Sequence, residues 1–211
     1  MHSIIRRTVL IAGGVFWAFS IGLGILAMTS YETTPGELVE APARWPEAST
    51  VVLTEDSLTL IMLAHPQCPC TKATISELER LLGQLDQKIK TYVIFIKPEG
   101  TSEEWVKSSL VAGARAIPGV IVITDENGAE ADRFHARTSG QTVLYDQKGE
   151  LIFRGGITGA RGQTGSNDGS RSIISLVNSQ TAALNETPVF GCPLFDAKRK
   201  NGDECHGGDH R

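Results

Sequence analysis

Hydrophobic and polar positions divide the chain into an unbroken apolar run, a proline-spaced stretch and a region where two periods alternate. From Thr8 to Ser30 no residue is charged, and TVLIAGGVFWAFSIGLGILAM offers about the 20 apolar positions a helix needs to cross a bilayer. Residues 31–50 carry Pro35, Pro42 and Pro46 with little periodicity, and read as an extended tether. TLIMLA (Thr59–Ala64) is a short apolar run suited to a buried strand. Ile75, Leu78, Leu81, Leu82 and Leu85 then recur at helical spacing, with Thr74 and Glu77 spaced as a capping box near the start. TYVIFI (Thr91–Ile96), rich in β-branched and aromatic residues, predicts a second strand. Ser102-Glu103-Glu104 offers a cap and two acidic residues for the start of a second helix. VIVIT (Val120–Thr124) predicts a third strand, and Ala129–Phe134 a short helix. TVLYD (Thr142–Asp146) and LIFRG (Leu151–Gly155) flank Gln147-Lys148-Gly149 as a hairpin. A last helix is predicted over Ser170–Leu184, with Ile173, Ile174, Leu176 and Val177 inward.

Strand–helix alternation closing in a hairpin and a helix predicts an α/β fold, a mixed central sheet flanked by helices. The boundaries that follow are a membrane anchor over 1–30, a linker over 31–50, one domain over 51–185 and a Cys/His-containing tail over 186–211. Arg6 and Arg7 precede the apolar run, whereas Glu32, Glu37 and Glu40 follow it. That asymmetry sets the N-terminus in the cytoplasm and the rest outside, periplasmic in a Gram-negative source. A cleaved signal peptide competes, but its apolar core is shorter, about 7–15 residues, and LAMTSYE matches its exit poorly. Either way the domain is exported, where disulfides persist. A formal net charge of -4 argues against a dedicated nucleic-acid binder. P-loop and dinucleotide fingerprints are missing, as are a serine–histidine–acid triad and paired carboxylates.

The loop that leaves the first predicted strand and enters a helix is where such a sheet places its chemistry. It reads HPQCPCT (His65–Thr71). The segment QCPCTKATISEL resembles the WCPPCRAEMPEL-type motif of the thioredoxin superfamily, in its membrane-tethered TlpA/ResA-like branch. DENGAEADRFHARTSGQTVLYDQKGELIFRGG resembles the same family's later turn, short helix, site-facing loop and hairpin, so the likeness covers about Val51 to Leu184. On this alignment Cys68 matches the family's nucleophilic cysteine, Thr71 falls where the second would be, and Cys70 sits one residue early. Gly140 stands at the family's substrate-facing cis-proline position. A narrower likeness is to RedB-type thioredoxin-like proteins, carried by AHPQCPCT, SGQTVLYD, GGITGARG and TPVFGCPL, which begin at Ala64, Ser139, Gly155 and Thr187. These resemblances imply a thioredoxin-like fold and thiol–disulfide exchange without a cofactor. They also imply thiols and disulfides of exported proteins as partners.

A cysteine at a helix N-terminus is favoured as thiolate by the unpaired amides there. Cys68 then attacks a disulfide, and a second cysteine resolves the mixed disulfide. Cys70 is the nearer choice in sequence, through a tight C-x-C ring, and Cys192 is the alternative. A copper metallochaperone is the rival reading, because Cys68 and Cys70 with His65 would suit Cu(I). The plainer reading has His65 cap the strand or orient the loop. A non-catalytic adaptor is the third reading, since Thr71 and Gly140 each replace a family hallmark. Cys192 could instead pair with Cys205, and Cys205, His206 and His210 offer a weak metal clamp. Arg161, in the glycine-rich stretch before the last helix, is a candidate for an anion or a substrate carboxylate. The plainer reading of that stretch is a flexible loop ending in an Asn/Asp cap.

Overall fold

In the computed structural model, which describes residues 2–85, 89–179 and 181–195, the run Leu58–Ala64 forms strand β1. It lies at the middle of a five-stranded sheet with β2 (Ile89–Lys97), β3 (Val120–Glu126), β4 (Gln141–Tyr145) and β5 (Leu151–Gly155), in the order β3-β2-β1-β4-β5. β1, β2 and β3 run parallel, while β4 and β5 are antiparallel to their neighbours. A strand in this position is covered on both faces, which is why β1 reads as an unbroken apolar run instead of an alternation.

Alternate residues of the strands feed two cores. On one face Leu60, Met62, Val93, Phe95, Leu144 and Phe153 pack beneath three helices, α2 (Thr71–Gly83), α3 (Ser109–Ala116) and α5 (Asp168–Ser179). Leu78 of α2 and Ile173 of α5 are fully buried there. Each such side chain contributes about 1.5–3 kcal/mol by leaving water. On the other face Ile61, Leu63, Ile94, Val143 and Tyr145 meet Ala131 of the short helix α4 (Ala129–Arg133), with Phe134, Ala41 and Leu194. The mixed sheet flanked by helices is consistent with a thioredoxin-like fold.

Several local expectations need correction. Thr74 and Glu77 are no capping box: α2 begins at Thr71 with Cys70 as its cap, and both residues are buried within the helix. The helix expected from Ser102 is two pieces. A 3-10 turn covers Glu103–Val106, and α3 starts afterwards, where the Ser108 side chain accepts from Val111 N (3.3 Å). The last helix stops at Ser179, short of Leu184. The hairpin forms as expected, with Asp146 Oδ1 accepting from Lys148 N (2.9 Å) and Glu150 N (2.8 Å).

The chain divides into two compact units, Met1–Thr34 and Pro35–Arg211. In the first, α1 (His2–Thr33) contains an 18-residue window of mean hydropathy 2.2, none of it buried. It is long and apolar enough to cross a membrane. In the second, residues 35–50 are not a free tether. Tyr145 Oη donates to Pro42 O (2.9 Å), Leu151 N to Ala43 O (2.9 Å) and Trp45 N to Gly149 O (2.7 Å). Trp45 sits edge-on to Phe134 and Tyr145. Ser49 and Thr50 hold the buried Glu130 carboxylate. The prolines thus set the course of a strap over the second core.

Candidate functional site

The site grows from the C-terminal end of β1. The chain turns through residues 65–70, with Cys68 N on His65 O (3.2 Å) and Thr71 N on Cys68 O (3.0 Å), and enters α2. Ser139, which precedes β4, pins this turn. Its Oγ accepts from His65 N (2.9 Å) and lies 2.8 Å from Thr71 Oγ1, with both residues buried. If Ser139 gives its proton to Thr71, the Thr71 hydroxyl is free to face the Cys68 sulfur. The Thr71 hydroxyl also lies 3.4 Å from His65 O, and Thr71 is among the groups that lower the Cys68 thiol.

Three thiols converge on this point. Cys68 is 2% exposed, while Cys70 and Cys192 are half-buried. Their sulfurs all lie within 4.8 Å of one another, and Cys68 Sγ is 2.8 Å from Cys192 Sγ. Cys192 arrives on the segment after α5. Ser139 N donates to Cys192 O (2.8 Å), Leu194 N to Arg137 O (2.8 Å), and Thr138 bridges Pro193 in antiparallel fashion. Gly191 passes so close to Ser139 O that a Cβ there would collide with it. Burial pushes the Cys68 thiol up, but donors from Cys192 and Thr71, both side chain and backbone, outweigh it and leave the thiol below its ordinary value. Cys192 is pushed up to about 12, by burial first and then by its bond to Cys68 and the charge there. Cys70 is raised too, by burial and by Cys68, with Arg161 opposing. Of the three thiols, Cys68 is thus the one held below its ordinary value, while Cys70 and Cys192 are held above theirs.

Arg161 is drawn to this cluster. Its Nη1 donates to Gly191 O, and its charge acts on Cys70 and Cys192. The start of α5 is capped by Asn167 Oδ1 on Ser170 N (2.8 Å), the Asx cap of the plainer loop reading. His65 is not one of the three clustered ligands. Its Nδ1 accepts from Gln67 N (3.1 Å), and its ring meets Trp105 edge-on at 5.6 Å. Gly140 has φ +90 and donates its N–H to Leu63 O (2.8 Å). A proline can do neither, so the loop here is rebuilt and not merely missing a hallmark. Cys205, His206 and His210 lie outside the described residues.

The sequence reading missed two contributors. Ser139 is one. The other is Glu77, 2% exposed, whose carboxylate accepts from Gly165 N (2.6 Å) and Asn167 Nδ2 (3.4 Å) and ties α2 to the loop bearing Arg161. An acidic residue at an inward position of a helical pattern was the available signal. Two open hollows of about 220 and 400 Å³ share Pro69 and Lys72 in their walls and flank the cysteine loop.

No protein-family model matches the chain, and no curated protein matches it. Solved structures do. A hypothetical protein, SMc02350, from Sinorhizobium meliloti 1021 is 18% identical, with a TM-score of 0.59 over 76% of this chain and 97% of that one. An uncharacterized conserved protein from Geobacillus kaustophilus is 19% identical, with a TM-score of 0.54 over 77% and 92%. A secreted disulfide oxidoreductase of Mycobacterium tuberculosis, homologous to E. coli DsbE, matches more loosely: 15% identity and a TM-score of 0.38 over 47% and 68%. The likeness is one of fold. The narrower TlpA/ResA and RedB resemblances rest on the motifs alone.

Proposed function

We propose that this protein is a thiol–disulfide oxidoreductase, held by α1 in a membrane with its cysteine domain outside the cytoplasm, and that Cys68 is its nucleophile. The observation that carries the reading is the placement of Cys68. It is a buried sulfur at the entry to α2, supplied with donors by Thr71 and Cys192 and in contact with a second thiol. A thiolate so placed attacks a substrate disulfide, and a neighbouring thiol releases the product. The C-x-C spacing makes Cys70 one candidate for that second step, and the packing makes Cys192 the other. Exported proteins bearing exposed thiols or disulfides are the partners this chemistry fits.

The test is the rate at which reduced full-length protein in detergent exchanges with an unfolded disulfide-bonded protein, compared with Cys68→Ser. Exchange well above that of a free thiol, lost in the variant, is expected. Equal rates in the two proteins would leave the adaptor reading in its place. Labelling of Cys70 by a membrane-impermeant thiol reagent in intact cells checks the compartment.

A soft-metal reading has one observation of its own: three sulfurs within 4.8 Å suit a thiophilic ion such as Cu(I). Cys192 then takes the place expected of His65. Nothing in the comparisons points to copper. Tight one-to-one Cu(I) binding that protects all three thiols from alkylation would favour this reading over exchange.

A further inference from the structure

We infer that Cys192, not Cys70, is the cysteine that resolves the Cys68 mixed disulfide, so that the oxidised protein carries a bridge between the first loop and the C-terminal segment. The inference rests on the exchange reading and adds a residue to it. Cys68 Sγ and Cys192 Sγ are already 2.8 Å apart, although 124 residues separate them in the chain. A disulfide is about 2.05 Å long, so closure needs a sulfur movement of under about an ångström.

Cys70 is less well placed. It lies two residues after Cys68 on a turn that runs into α2, in helical conformation (φ -66, ψ -27), with Thr71 N on Cys68 O (3.0 Å). Its sulfur lies within 4.8 Å of Cys68 Sγ, against 2.8 Å for Cys192. Closing a C-x-C bridge across Pro69, whose φ is fixed, would make a tight, strained ring at the entry to α2. Cys192 needs no comparable change, because its backbone is already stitched down. Ser139 N holds Cys192 O, Leu194 N holds Arg137 O, and Arg161 holds Gly191 O. The buried side chains of Val189 and Leu194 anchor the segment on either side.

The steps balance with a substrate disulfide as the oxidant. The Cys68 thiolate attacks one sulfur of R–S–S–R′. A Cys68–R disulfide forms, and R′S⁻ leaves and takes a proton. Cys192 then gives its proton to solvent base and attacks Cys68 Sγ. The Cys68–Cys192 bond forms, the Cys68–R bond breaks, and RS⁻ leaves and is protonated. Two protein thiols are oxidised to one disulfide, and one substrate disulfide is reduced to two thiols. A dithiol of a second protein reverses the sequence.

The experiment oxidises the reduced full-length protein in detergent with glutathione disulfide, blocks remaining thiols, and maps the linked peptides by mass spectrometry without reduction. The wild type and Cys70→Ser are both expected to give a 68–192 link. Cys192→Ser is expected to accumulate glutathione on Cys68 and to lose it at least about tenfold more slowly. A dominant 68–70 link, with Cys192→Ser oxidising as fast as wild type, would overturn the assignment while leaving the exchange reading intact. If Cys68 forms neither an internal link nor a glutathione adduct, the exchange reading fails and this assignment with it.

Discussion

The loop 65–71 brings Cys68 and Cys70 to the thiol cluster and the segment 185–194 brings Cys192, and the chain encodes the two regions in different ways. The loop is assembled by its immediate neighbours: the end of β1, a turn closed by Cys68 N on His65 O, and the first turn of α2. The C-terminal segment has no regular element of its own. It lies along β5 through Arg154 N on Asn185 O (3.0 Å), Thr187 N on Arg154 O (3.2 Å) and Thr187 Oγ1 on Gly156 O (2.8 Å). It then crosses to residues 137–139, where Cys192 meets Cys68. Cys68 and Cys70 are positioned by local structure, whereas Cys192 is positioned only by packing across the domain.

Joining the two regions covalently gives the largest expected effect. A bridge spanning 124 residues restricts the unfolded chain strongly, and oxidation is expected to stabilise the domain by about 2–5 kcal/mol. Thermal unfolding of oxidised against reduced protein reads it, and Cys192→Ser should show no such gain. The contact surface itself can be broken next. Gly140→Pro is expected to destabilise the domain by about 2–4 kcal/mol. It would lose the bond to Leu63 O and force φ away from +90, as chemical denaturation would show.

A subtler cut separates α2 from the loop bearing Arg161. Glu77→Ala leaves Gly165 N without its acceptor and is expected to cost about 1–3 kcal/mol in denaturant unfolding. It should also shift the pH dependence of Cys70 alkylation upward as Arg161 moves away. The smallest effect sharpens the contrast between the thiols. Alkylation of Cys68 should persist to lower pH than that of an ordinary thiol, while Cys192 should resist it throughout the neutral range. A folded-state pKa held below its unfolded value stabilises the reduced protein above the unfolded value. That contribution is lost as pH falls through the folded one. Cys192 has the opposite sign, its contribution being lost as pH rises toward about 12. The Cys68 contribution is therefore read as a fall in stability between the ordinary thiol value and its lower folded value, and that of Cys192 as a fall above the ordinary value.

Legibility in the sequence followed the range of the interaction. The strands expected at Thr59–Ala64 and Thr91–Ile96 were readable because a strand covered on both faces is a nearly continuous apolar run, although both extend further than expected, to Leu58–Ala64 and Ile89–Lys97. The Gln147-Lys148-Gly149 hairpin was readable because its turn chemistry is local. Glu77 was misread because a Thr-x-x-Glu spacing is shared by a capping box and by two inward positions of a helix, and only the packed loop tells them apart. His65 looked like a ligand beside two cysteines. Its ring nitrogen instead accepts an amide two residues away, and Trp105 covers its ring. The residues 35–50 looked like a tether because prolines interrupt periodicity in a strap as much as in a linker.

The sequence alone determined the order of strands and helices, the apolar helix α1 and the presence of a cysteine at the entry to α2, since each depends on side chains a few residues apart. Only the tertiary structure decided that Cys192 lies beside Cys68, that Ser139 pins His65 N and Thr71, and that Arg161 faces the cluster. Those contacts join segments tens to more than a hundred residues apart. No periodicity marks them, because they exist only once the sheet has brought its distant neighbours together.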